Sequence, residues 1–182
     1  MKPKSVPAAV RYIGVTILFA GCGACSAKYL GGLRLPPALL LGIPFACVCA
    51  VVVFRRWRAL IALPLIAAVY PVALAASGLA SIGGHPDLSP CLGGAIGGFL
   101  LILCAVPCRD DLFARKFFLG GAVVGFVGSV AFNGASDVLY QQKAAFAIWQ
   151  AAVGTYLYAI VQGLGREASK KKSVDLTILR LD

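Results

Sequence analysis

Six long runs of apolar residues, separated by short polar links, constrain this chain more than any other feature. An α-helix rises about 1.5 Å per residue and the hydrocarbon core of a bilayer is about 30 Å thick, so roughly 20 apolar residues cross it. The runs cover residues 12–30, 36–54, 59–81, 91–108, 117–135 and 144–165. Inside a bilayer no water bonds the backbone, so such segments become helices that satisfy their own N–H and C=O groups. The expected fold is all-α: a polytopic membrane protein built as a compact six-transmembrane-helix bundle. Composition excludes the alternatives. Of the 182 residues, 60% are hydrophobic and 13% are charged, whereas a soluble domain carries about 25% charged residues. So few charges cannot cover a water-exposed surface, and a disordered chain needs low hydrophobicity.

Local signals mark the ends of the runs. Pro36-Pro37 suits a helix start, and Arg55, Arg56, Trp57 and Arg58 close the second run. Pro64 and Pro71 interrupt the third, with Pro44 a further possible kink. Gly83, Gly84, His85, Pro86 and Asp87 read as a turn. Arg109, Asp110 and Asp111 end the fourth. Three segments follow: a cytoplasmic N-terminus at 1–11, one membrane domain at 12–165, and a basic cytoplasmic tail at 166–182. Short loops leave no room for a separate soluble domain. Trp57 and Trp149 fall near run ends, where interfacial anchors sit.

The formal charge of +10 would suggest nucleic acid in a soluble protein. Here its distribution gives another meaning, and no nucleic-acid partner is expected. Lys2, Lys4, Arg11, the arginines at 55, 56 and 58, Arg109, Arg115, Lys116 and the five basic residues of the tail fall on one side of a six-span chain. Those are 14 residues; only Lys28, Arg34 and Lys143, 3 residues, fall on the other. Basic residues collect on the cytoplasmic side, so both termini are expected there, in a bacterial inner membrane. The partners expected are the lipid bilayer and another membrane protein. Lys170, Lys171 and Lys172 suit anionic lipid. The alternation over 173–181 would suit a strand added to a partner, against a simpler solvated tail.

The first run carries a second signal. Lys2, Lys4 and Arg11 precede a short apolar stretch and then Phe19-Ala20-Gly21-Cys22. That resembles a bacterial lipoprotein cleavage box, with Phe19 where Leu is usual. The resemblance implies lipidation at Cys22; the other reading is a first transmembrane helix with small packing residues. Cys22-Gly23-Ala24-Cys25 has the CxxC spacing and resembles sites in membrane disulfide oxidoreductases and mercury-uptake proteins. Cys22 and Cys25 are therefore thiol candidates. The other five cysteines do not obviously share their depth, and packing is the competing role.

Chemistry is otherwise sparse. Charges inside spans are costly and functional, yet Lys28 near a helix end is the nearest case. His85, Asp87 and Ser89 crowd one short loop, where a turn explains them. One His and one Met do not make a rich soft-metal site. No catalytic residue, cofactor site or metal site is expected. The helix faces say more. Gly121, Gly125, Ser129 and Asn133 recur every four residues on one face of the fifth helix. Gly93, Gly94, Gly97 and Gly98 lie in the outer half of the fourth, level with that stripe's end. Small residues let helices approach closely in lipid, so these two helices are expected to pack tightly. Gln150 is the expected partner of Asn133. The sixth helix, with Trp149, Gln150, Thr155, Tyr156, Tyr158 and Gln162, is the most polar. The expected function is non-enzymatic: helix packing with a membrane partner, as in an immunity protein against a membrane-inserting toxin or an accessory subunit. The alternatives are a small-solute permease or channel lined by helices five and six, and a thiol-based redox or soft-metal protein.

Overall fold

The computed structural model describes residues 7–30, 42–54, 59–109, 112–132 and 139–178. Among these residues the chain is helical and has no strand. The helices are α1 (Ala8–Leu30), α2 (Ile43–Val48), α3 (Ala59–Ile82), α4 (Ser89–Ala105), α5 (Arg115–Ser129) and α6 (Leu139–Ile178). Four stretches are long and apolar enough to cross a membrane: Ala8–Cys25, Ala62–Ile82, Ser89–Cys108 and Ala144–Glu167.

The second and fifth runs differ from their expected form. The described part of the second is α2 followed by a π-helix, Cys49–Phe54. These 12 residues rise about 18 Å, short of a full crossing. The Pro36-Pro37 start and the closing residues 55–58 lie outside the described residues. Pro44 begins α2, where its missing N–H costs nothing, so it starts a helix and does not kink one. The fifth run gives 15 residues of α-helix and one 3-10 turn, Val130–Phe132. The sixth helix is longer than its apolar run. It begins at Leu139 and continues through Ile178, so the backbone over 173–178 is helical and not a strand.

The α3–α4 turn is built as its glycines require. Gly84 adopts φ +89°, which only glycine takes without strain. His85 N–H donates to the Ala80 carbonyl at 3.2 Å and Gly84 N–H to that of Ser81 at 3.2 Å. This pair of bonds is the Schellman stop of a helix. Ser89, just after the turn, donates its hydroxyl to the Ser77 carbonyl at 2.7 Å. That clamps the start of α4 to α3, while the Ser89 N–H donates to the His85 carbonyl at 3.0 Å; the side chains of His85 and Asp87 are exposed.

The broadest interfaces are α4 on α5 and α1 on α6; α4 also packs on α3, and α6 on α5. The core is aromatic. Phe19, Phe45, Tyr70 and Trp149 form a chain from α1 through α2 and α3 to α6, with centroids 4.9, 6.2 and 5.3 Å apart in turn. Large apolar side chains such as Ile17, Leu79, Val123 and Val127 point outward, as suits lipid contact. Pro71 has no N–H for the carbonyl of Ala67, four residues back. Gly42 sits against that carbonyl: a Cβ added there would lie 2.6 Å from Ala67 Cα. Gly42, just before α2, thus lies against the backbone of α3 that Pro71 leaves unbonded.

Candidate functional site

Helix α4 has two rows of glycines, each spaced four residues apart. Gly94 and Gly98 face α5. A Cβ on Gly94 would strike Ser129 Oγ and lie 2.5 Å from the Gly125 carbonyl oxygen; one on Gly98 would strike the Gly121 carbonyl. From the other side, a Cβ on Gly121 would lie 2.6 Å from the Gly98 carbonyl oxygen, and one on Gly125 would strike that of Gly94. The two backbones therefore touch. Ser129 turns its hydroxyl back to the Gly125 carbonyl at 2.9 Å, which leaves its small side chain against α4. Gly93 and Gly97 face elsewhere: Gly93 lies on Ala73 and Ser77 of α3, and Gly97 on Ala73 and the Trp149 ring. Asn133 lies outside the described residues. Gln150 is fully buried in α6.

Because small residues line three of the helices here, they leave space where α3, α4, α5 and α6 meet. A cavity of about 130 Å³ lies there, lined by Tyr70, Ala73, Ser77, Gly93, Gly94, Ser129 and Trp149, with Leu74, Pro90 and Phe146 completing it. It lies toward the α3–α4 turn. Tyr70 and Trp149 meet edge to face at 88°, and Tyr70 stacks on Phe146 at 19°. Tyr70 is 2% exposed and Trp149 5%. Both are deep in the bundle, so Trp149 is a core residue and not an interfacial anchor. Among the described residues, neither the Tyr70 hydroxyl nor the Trp149 Nε1–H has a hydrogen-bond partner. An unsatisfied buried polar group costs about 1–3 kcal/mol. Two of the aromatic residues that line the cavity thus carry unmet donors, while the Ser77 and Ser89 hydroxyls, 2.9 Å apart, bond each other.

The polar residues of α6 serve other contacts. Thr155 Oγ1 lies 2.9 Å from Thr16 Oγ1 of α1. Tyr156 donates to the Phe117 carbonyl of α5 at 3.3 Å, lying over Gly120. These two adjacent residues tie α6 to α1 on one side and to α5 on the other.

The thiol candidates lie at the α1–α2 contact. Cys22 is half-buried and Cys25 exposed. Cys25 and Cys47 are electrostatic neighbours of Cys22, and Cys22 and Cys108 are those of Cys49. More thiols gather near Cys22 than chain spacing suggested, because α2 starts beside the second half of α1. No group of three His, Cys, Asp or Glu among the described residues is arranged to hold a metal ion.

Sequence reasoning missed Gly23, Gly42, Gly128 and Gly154. A Cβ on Gly23 would lie 2.6 Å from Ala147 Cα, and one on Gly154 would enter the Phe19 ring. No regular stripe announces these; each is a single close approach. Comparison with protein-family models, curated proteins and solved structures finds no match.

Proposed function

We propose that this chain is a non-enzymatic, multi-pass protein of a bacterial inner membrane that binds a small, largely apolar ligand in the cavity between α3, α4, α5 and α6. The carrying observation is that two residues lining an aromatic cavity, Tyr70 and Trp149, hold buried, unmet donors at Oη–H and Nε1–H. The volume suits about one six-membered ring, since cavities near 150 Å³ take benzene. The donors suit a ligand with a carbonyl, ether or hydroxyl oxygen. The lining supplies recognition groups, with hydroxyls, an indole and small side chains. In this reading the chain crosses the membrane six times with both termini cytoplasmic, as the division of basic residues, 14 against 3, supports. The cavity then lies in the outer half. Thr155 and Tyr156 of α6 are engaged with α1 and α5, which favours a binding pocket over a continuous path.

Cyclohexanone and cyclohexane are matched probes, differing in one acceptor. In protein carrying Trp57→Phe, Trp149 is the remaining tryptophan, and its fluorescence reports binding. The ketone is expected to bind about fivefold more tightly, the worth of one neutral hydrogen bond. Tyr70→Phe should reduce that preference, and Ala73→Leu should block both probes. Equal binding of the two probes to the parent protein rejects the reading.

A second reading, a membrane partner packed on this chain, is favoured by α1. Gly14 and Gly21 lie seven residues apart on one face and, among the described residues, meet no atom of another helix within 4 Å. Ile17 and Leu18 between them are exposed. Small residues in this pattern suit helix–helix contact in lipid.

A further inference from the structure

Helices α1 and α6 run antiparallel, and their contacts fix the register. Phe19 covers Gly154, Thr16 meets Thr155, and Tyr12 meets Tyr158 edge-on with centroids 5.3 Å apart. Each step back along α1 is a step forward along α6. Just beyond the tyrosine pair, this register brings Arg11 and Arg166 to one cavity of about 100 Å³, lined also by Ala8, Tyr12, Tyr158 and Gln162. The two arginines are 155 positions apart in the chain, so nothing local in the sequence announces their meeting.

The chemistry of this cavity differs from that of the first. Two guanidiniums, two phenols and a carboxamide face it, and none of its six lining residues carries a negative charge. Arg11 and Arg166 are exposed, whereas Tyr158 is 3% exposed; the cavity has a charged mouth and a buried wall. Arginine stays protonated at any relevant pH, so both guanidiniums that meet at this cavity carry positive charge. Guanidinium forks fit the paired oxygens of a phosphate, and charge-assisted bonds of this kind are the strong ones. Position favours phosphate over other anions. The apolar stretches of α1 and α6 begin at Ala8 and end at Glu167, so the cavity lies where a spanning helix leaves the hydrocarbon and meets the headgroups.

We propose that the Arg11–Arg166 cavity binds a phosphate group, carried by an anionic lipid headgroup or free in solution. The test uses the full-length protein in detergent. It is titrated separately with short-chain phosphatidylglycerol, short-chain phosphatidylcholine and inorganic phosphate, with bound ligand counted by native mass spectrometry. One phosphatidylglycerol is expected to bind about tenfold more tightly than phosphatidylcholine, whose ammonium opposes the arginines. Arg11→Gln with Arg166→Gln should abolish that preference. Changing Lys170, Lys171 and Lys172 together to Gln should leave it intact. Displacement of the lipid by inorganic phosphate identifies free phosphate as a ligand; no displacement identifies the headgroup. If the double Gln variant unfolds, Arg11→Lys with Arg166→Lys keeps the charge but loses the forked geometry, and should weaken binding about threefold. A preference unchanged in both double variants, or a parent protein that binds none of the probes, overturns the proposal.

Discussion

At Gly125 the lack of one carbon sets the distance between two helices. An added Cβ would strike the Gly94 carbonyl and approach within 3.1 Å of Gly98 Cα. Both are backbone, so no side chain can swing aside. Val123, two residues away, is 62% exposed and faces out. Overpacking costs about 1–3 kcal/mol where the surroundings can shift, and a Leu at 125 should exceed the lower end of that range. Gly125→Leu is therefore expected to lower membrane abundance and thermal stability, with Val123→Leu near neutral. Thermal unfolding of the purified variants reads the difference. Equal stability of the two would mean that α4 and α5 are not in backbone contact. The same logic assigns the other glycines of α4: Gly98 belongs to the α5 seam, and Gly93 to α3.

At the scale of elements, α4 stands between α3 and α5 with glycines on both sides, and α6 stands between α1 and α5. Lipid offers no hydrophobic drive for helix association, so close packing and hydrogen bonds must hold such layers. Thr16–Thr155, Ser77–Ser89 and Tyr156–Phe117 are those bonds here. Arg109 adds one more, donating from Nη1 to the Val161 carbonyl at 3.1 Å. Among the described residues, Gly14 and Gly21 on the outer face of α1 meet no other helix within 4 Å. If another membrane protein packs there, Gly14→Leu with Gly21→Leu should leave abundance normal and abolish activity or cross-linking to that partner. No described residue of another helix comes within 4 Å of either position, so a loss of abundance would point to a structural role and count against the partner reading.

For the whole molecule, orientation is the property most open to test. Basic residues near the ends of spans set orientation, and a six-span reading divides them 14 to 3. Reporter fusions at Asp87 and at the C-terminus are expected to read outside and inside, respectively. A C-terminus outside would reject the six-span topology and place the Arg11–Arg166 cavity on the other face. Tyr70 joins two regions: it lines the cavity near Trp149, and Cys22 and Cys49 are electrostatic neighbours of its hydroxyl.

Much of this architecture was legible in the order of residues. The apolar runs required helices because a bilayer leaves a backbone no other way to bond. Gly83-Gly84 marked a helix stop, since Gly84 takes a left-handed φ. Glycines at four-residue spacing marked close approach on α4 and α5. What the sequence could not reveal was direction. A helix in lipid is apolar on its buried and lipid faces alike, so no inside–outside pattern tells which neighbour each face meets. That is why Trp149 read as an interfacial anchor and stands in the core. It is also why Gly93 and Gly94, adjacent in the chain, serve opposite neighbours. Arg11 and Arg166 meet only because Phe19 covers Gly154 and Thr16 meets Thr155. Such contacts belong to pairs of surfaces far apart in sequence, and only packing brings them together.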